Sequence, residues 1–138
     1  MLFVDINLVG IVLGAISNMV IGAIWYSPMV FGKIWMNLAG ITQKEIESGK
    51  KQMPKIYSMA FVGALITAYI LAIFLDLVGA ATIGEGLQIG LLVWLGFVAT
   101  TTLSTVLFEN KKTNLYLLNN GYNLLSILVM SVILILFP

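Results

Sequence analysis

Apolar residues dominate four long stretches of the chain, and shorter polar segments separate these stretches. A helix needs roughly 20 apolar residues to cross the hydrocarbon layer of a bilayer, and each stretch is long enough. A backbone inside hydrocarbon must satisfy its own hydrogen bonds, so each stretch is predicted to be a helix. The predicted spans cover residues 6–26, 56–75, 83–108 and 115–137.

The composition supports a membrane protein over a soluble one. Hydrophobic residues make up 60% and charged residues 9% of the 138 residues, whereas a soluble domain carries roughly 25% charged residues. We therefore predict an all-α integral membrane protein, with residues 1–138 forming a single domain. Its four transmembrane helices would pack as a bundle.

The segment 27–55, between the first and second spans, is predicted to contain one or two short interfacial helices. Ser27-Pro28 predicts the start of the first, because serine caps helices and proline suits the first helical position. Its apolar residues recur at helical spacing, which is typical of a helix lying in the membrane interface. Gly40 is predicted to end it.

A second short helix is predicted from Thr42 and Glu45, which have the spacing of a capping box. We expect this helix to run to Met53 and to stop at Pro54. The two short helices either simply connect the first two spans or form a lid or partner surface. The sequence leaves both interpretations open.

The lysines indicate which side of the membrane each segment occupies. All seven lie in the segments that follow the first and third spans, and lysine favours the cytoplasmic side. We therefore predict a multi-pass protein of the cell membrane, with the lysine-bearing loops in the cytoplasm. Both termini would then lie outside.

Small residues recur every four positions in the first two spans, where they share a helix face. Such rows let neighbouring helices approach closely in a membrane. They would serve either packing within one bundle or a seam between copies in a homo-oligomer. The predicted packing residues are Gly10, Gly14, Asn18 and Gly22 in the first span, and Ala60, Ala64, Ala68 and Ala72 in the second.

Polar residues form a stripe along the first half of the fourth span. Tyr116, Asn119, Asn123 and Ser126 are spaced three, four and three apart. An amide facing hydrocarbon without a partner is costly, so this stripe is predicted to face the bundle or a wet cavity. Its members either bond to each other and to backbone carbonyls, or line a pocket that opens to the cytoplasm.

The pocket interpretation predicts a ligand site with a charged rim. Glu109 follows the third span, and Lys33 lies at a similar depth in the first short helix. The predicted ligand-binding residues are Lys33, Glu109, Tyr116, Asn119 and Asn123.

The chain lacks the residues on which much catalytic chemistry depends. It contains no histidine, cysteine or arginine, so no serine has a histidine to act as its base. No catalytic constellation, metal site or cofactor site is expected, and a net charge of +1 does not suggest nucleic-acid binding. We therefore predict a non-enzymatic module that binds lipid or a membrane partner. The alternative is a small homo-oligomeric transporter or pore for a small solute.

Several short runs, rich in aromatic residues and glycine, recur in order along the chain. They are Trp25-Tyr26-Ser27-Pro28, Phe31-Gly32-Lys33 with Trp35, the run Trp94–Thr101, Leu107-Phe108-Glu109, and Asn120-Gly121-Tyr122. Through these runs, and over essentially its whole length, the chain resembles the domain of unknown function 1761, a family of small prokaryotic four-span membrane proteins. The resemblance implies the four-span architecture and assigns no activity.

Overall fold

The computed structural model describes residues 6–138, and this part of the chain is helical with no strand. Four helices are long and apolar enough to span a membrane, which confirms the predicted fold class. A single 3₁₀ turn, Lys50–Gln52, precedes the second long helix. The helices are α1 (Leu8–Trp25), α2 (Gly32–Ala39), α3 (Gln43–Ser48), α4 (Met53–Leu77), α5 (Ile83–Leu107) and α6 (Thr113–Leu136).

The first short helix begins later than predicted. Residues 27–31 form turns, and α2 starts at Gly32. The Ser27 hydroxyl donates to the Ile24 carbonyl, 2.7 Å away, so it bonds back to the end of α1 instead of capping a following helix. The predicted end at Gly40 is confirmed, because Gly40 adopts φ 71°, which a glycine tolerates without strain.

The start of α3 is confirmed and its predicted end is wrong. The Glu45 amide donates to the Thr42 hydroxyl oxygen at 3.2 Å, as the capping pattern requires. The helix stops at Ser48, and Pro54 lies in the first turn of α4 instead of ending α3. A proline in the first turn costs little, because amides there have no partner within the helix.

α6 is the central helix of the bundle. It packs along both α1 and α5 and also touches α4, while α1 packs against α4. Glycines permit these close approaches. A Cβ at Gly14 would lie 3.1 Å from Met130 Cγ, and a Cβ at Gly90 would lie 2.6 Å from Ser131 Oγ. The glycine rows of α1 and α5 therefore face α6 within the same chain.

The predicted alanine row of α4 is divided between the core and the surface. Ala64 and Ala68 are buried, Ala72 is half-buried and Ala60 is exposed.

An apolar cluster joins α1, α4 and α6 in the half of the bundle that contains the α4–α5 connection. It consists of Ile11, Ala68, Leu71, Leu75, Ile127, Met130 and Leu134.

α5 contains a wide helical turn near its middle. Residues Trp94–Ala99 are π-helical, and the helical pieces Thr100–Thr102 and Ser104–Leu107 follow. α4 and α5 pack less closely than the other neighbouring pairs. The space that they leave on this side of the bundle becomes the candidate site.

Candidate ligand-binding groove

The end of α1 is fastened to the first half of α6 by aromatic side chains. The Trp25 indole N–H donates to the Leu118 carbonyl at 3.2 Å, and the Tyr26 hydroxyl donates to Asn119 Oδ1 at 2.7 Å. Trp25 also lies against Gly121, where an added Cβ would come within 3.1 Å of the indole ring. The turn after α1 thus has a fixed position on α6.

The aromatic rings of this region pack in two groups. Tyr26 lies edge-on to both Trp35 and Tyr122, with centroid separations of 5.7 and 5.4 Å. Trp25 packs on Phe31 at 4.7 Å. Edge-to-face pairs at these distances are favourable beyond the area they bury. They hold α2 against the bundle.

A second set of polar contacts joins α6 to α5. The Tyr116 hydroxyl donates to the Ala99 carbonyl at 2.6 Å, and the Trp94 indole N–H donates to the Asn120 carbonyl at 3.0 Å. The buried Asn120 amide donates to Thr102 Oγ1 and to the Tyr116 carbonyl, both at 3.1 Å. Tyr116 and Asn120 therefore face α5.

Asn18 lies near the middle of α1 and bonds to α6. Its side-chain oxygen accepts the Tyr122 hydroxyl at 3.1 Å and also accepts the Ser126 hydroxyl in a short contact. Each hydroxyl therefore has a partner inside the bundle. These bonds bring the polar ends of three side chains together at one point between α1 and α6.

A polar pocket of about 340 Å³ opens beside this point. Its polar wall comes from α1 and α6, and small residues of α4 form the opposite wall. Amide, hydroxyl and small apolar groups line it, and its lining includes no carboxylate or lysine. Its lining residues are Asn18, Ala60, Gly63, Ala64, Thr67, Val98, Tyr122, Asn123, Ser126, Ile127 and Met130.

An apolar groove of about 360 Å³ adjoins the polar pocket, with Thr67 and Ile127 lining both. Its walls are α4 and α5, and the rings of Phe74 and Phe97 lie 6.3 Å apart along it. The two cavities lie side by side along α4, and together they offer a polar part and an apolar part. The apolar groove is lined by Ile66, Thr67, Ile70, Leu71, Phe74, Val93, Phe97 and Ile127.

A family model described as "Protein of unknown function (DUF1761)" matches residues 9–135. The chain belongs to the DUF1761 family. This match confirms the resemblance noted in the sequence and spans all four long helices. Neither a curated protein nor a solved structure matches the chain.

Three of the sequence runs that carry the DUF1761 resemblance meet in the structure. Trp25 and Tyr26 contact Leu118, Asn119 and Gly121 through the bonds and close approach described above. The α5 run Trp94–Thr101 contacts the start of α6 through two further bonds. These runs therefore join α1, α5 and α6 at the end of the bundle that carries the lysines.

The predicted ligand residues occupy three different environments. Asn123 lines the polar pocket, while Tyr116 and Asn119 bond to α5 and to Tyr26. Lys33 and Glu109 are exposed, and neither lines the pocket or the groove. The role assigned to them at a charged rim stays a prediction.

Three polar residues of α6 that bond to neighbouring helices or line the pocket were left out of the predicted ligand set. Asn120 is buried against α5, and Tyr122 and Ser126 share the Asn18 oxygen. The predicted stripe included Ser126 but not Asn120 or Tyr122, because it contained only polar residues that share one face of the helix. A helix at the centre of a bundle has several neighbours, so adjacent polar residues can each face a different helix.

The arrangement offers hydrogen bonds and apolar contact. Within residues 6–138, no group of three or more Asp, Glu, His or Cys side chains is placed to hold a metal ion. The pocket instead presents amide and hydroxyl groups, which can orient a polar head, beside a groove that can take a hydrocarbon tail.

Proposed function

We propose that the protein is a non-catalytic membrane module that binds an amphipathic, lipid-like ligand between α4 and α5. The observation that carries this proposal is that the polar pocket adjoins the apolar groove, with Thr67 and Ile127 lining both. A lipid has a matching arrangement, in which a polar head is attached to an apolar tail. Each cavity, of about 360 and 340 Å³, lies within the size range of ordinary ligand sites, which run from roughly 300 to 1,000 Å³.

The apolar core favours this binding role over the alternative, a transporter or pore. A further cavity of about 280 Å³ lies at the opposite end of the bundle and is lined in part by Asn7 and Asp76. Between it and the polar pocket lie the packed side chains of Ile11, Leu71 and Leu134. A pore would need a wet path through this layer. Solute flux from protein-containing liposomes above the empty-liposome level would favour the alternative.

We further propose that the lysine-bearing end of the bundle faces the cytoplasm, with both termini outside. The support is the position of all seven lysines in the segments around α2, α3 and the α5–α6 connection. A reporter active only in the cytoplasm should be inactive at the C-terminus and active when inserted after Lys111. Activity at the C-terminus would contradict this topology.

Gly63→Phe should empty the proposed lipid site. Gly63 lines the polar pocket, and a Cβ there meets no atom within 4 Å, so the ring can enter the site without displacing the backbone. We expect a roughly tenfold loss of lipid retained by the purified protein, equivalent to ~1.4 kcal/mol of binding free energy. Native mass spectrometry of the detergent-solubilised protein measures this retention.

Val62→Phe is the matched control for this substitution. Val62 is the preceding residue of α4, is 54% exposed and lines neither cavity. Both variants add a ring to a span without filling the core, so both should fold as the wild type does. Equal lipid retention by Gly63→Phe and Val62→Phe would contradict binding in the groove.

A further inference from the structure

The hydrogen bonds around the polar pocket leave amide donors facing it. The Asn18 side-chain oxygen is taken by two hydroxyl groups, and the Asn18 amide nitrogen has no bond within residues 6–138. The Asn123 amide likewise joins no such bond. No polar side-chain atom of the described residues is buried without a partner, so these two amides remain accessible. Since both residues line the pocket, their N–H groups can donate to a ligand.

The pocket lies too deep for a charged head group. Asn18 is seven residues from the end of α1 at Trp25, a depth of about 10 Å along the helix. Asn123 is ten residues from the start of α6 at Thr113, or about 15 Å. No lysine lines the site to neutralise a phosphate. A charge moved to this depth without a partner would carry a large desolvation cost.

The shape of the site also restricts the tail of the ligand. One apolar groove adjoins the pocket, and Phe74 of α4 and Phe97 of α5 line it. One groove fits a single hydrocarbon chain, whereas the head faces donors on two helices, α1 and α6. Two separate donors suit a head with two acceptor oxygens.

We infer that the ligand is a neutral, single-tailed lipid whose head carries carbonyl oxygens, the chemistry of an isoprenoid quinone. The two carbonyl oxygens accept from the Asn18 and Asn123 amides, and the tail lies in the apolar groove. This inference rests on the proposed function, because it specifies the ligand of the same site. It concerns binding alone and includes no electron transfer.

Thermal stabilisation by added lipid tests the inference. The detergent-solubilised protein is heated, and the fraction that remains soluble is measured by size-exclusion chromatography with decylubiquinone, dioleoylglycerol or phosphatidylglycerol added. A ligand that binds the folded state raises the midpoint of thermal unfolding. We expect decylubiquinone to raise it most. Phosphatidylglycerol should have little effect.

Asn123→Leu tests the hydrogen bond to the head of the ligand without changing the apolar groove. It removes one donor while keeping a side chain of similar size, so decylubiquinone affinity should fall up to roughly tenfold, the contribution of one good hydrogen bond. Gly63→Phe should abolish the stabilisation. Asn114→Leu, which alters an exposed amide in the first turn of α6, is the control and should retain wild-type affinity.

The possible results separate this inference from the proposed function. If phosphatidylglycerol stabilises the wild type and decylubiquinone does not, the ligand class is wrong and the groove still binds lipid. If no lipid stabilises the protein and none is retained on purification, both proposals fall. If the wild type is a dimer that Gly63→Phe converts to a monomer, a second copy occupies the groove, and both proposals are overturned.

Discussion

Gly32→Ala is expected to release α2 from the end of α1. An added Cβ would lie 2.5 Å from the Tyr26 carbonyl oxygen and 2.7 Å from the Ser27 carbonyl carbon, both of which are backbone atoms. Backbone cannot rotate away as a side chain can, so the turn after α1 must open. We expect a loss of about 1–3 kcal/mol in the stability of this docking.

The rate of trypsin cleavage after Lys33 measures this release. Lys33 lies in the first turn of α2, and segments that detach become accessible to proteases. Cleavage after Lys44, which lies in α3, provides an internal reference in the same digest. Gly63→Ala is the matched control, because its Cβ meets open space, and alanine in a helix should stabilise by up to roughly 1 kcal/mol. If Gly32→Ala is cleaved after Lys33 at the wild-type rate, the close contact of Gly32 with the Tyr26 and Ser27 backbone does not hold α2 in place.

The four spans were predictable because their signal depends only on length and hydropathy. The start of α3 at the Thr42 cap was easier to predict than its end. Capping depends on a local spacing of three residues, whereas Pro54 is compatible with either the end of one helix or the start of the next. The long, mostly apolar stretch that begins at Ile56 favours the second outcome, because Pro54 then falls in the first turn of the helix that this stretch forms.

The polar site was only partly predictable, because spacing shows which residues share a face and not which helix lies opposite. Asn119 and Asn120 are adjacent in sequence, and they bond to Tyr26 after α1 and to Thr102 in α5. The π-helical turn in α5 adds to the difficulty. It shifts the side-chain register after Trp94, so the faces of the following threonines cannot be extrapolated from a regular helix.

Thr100, Thr101 and Thr102 follow the π-helical turn directly, and their hydroxyls bond mainly to the backbone of that turn. Thr100 and Thr101 donate to the carbonyls of Gly96 and Phe97 in their own helix, at 2.8 Å each. Thr102 donates to Val98 and also bonds to Asn120. None of the three lines the polar pocket or the apolar groove. The hydroxyls therefore satisfy the backbone around the wide turn, and Thr102 links that turn to α6.

Asn120→Asp is expected to be the most disruptive of the polar substitutions. Asn120 is 5% exposed, and its amide donates to Thr102 Oγ1 and to the Tyr116 carbonyl. An ionised carboxylate has nearly the same shape but no donor, so it would face the Tyr116 carbonyl oxygen with a negative charge. Leaving a buried charge without a partner costs about 3–5 kcal/mol. We expect a large fall in the midpoint of thermal unfolding, measured by size-exclusion chromatography after heating.

Two further variants identify the cause of that fall. Asn114→Asp adds the same charge to the same helix at an exposed position in its first turn, where a negative charge is mildly favourable. Its midpoint should stay within the wild-type range. Asn120→Leu removes the amide bonds without adding charge, and its loss should be smaller, because Thr102 keeps its bond to Val98. If Asn120→Asp instead has the same midpoint of thermal unfolding as Asn114→Asp, the contact between α5 and α6 does not depend on the Asn120 amide. Trp94 and Tyr116 would then hold the two helices together.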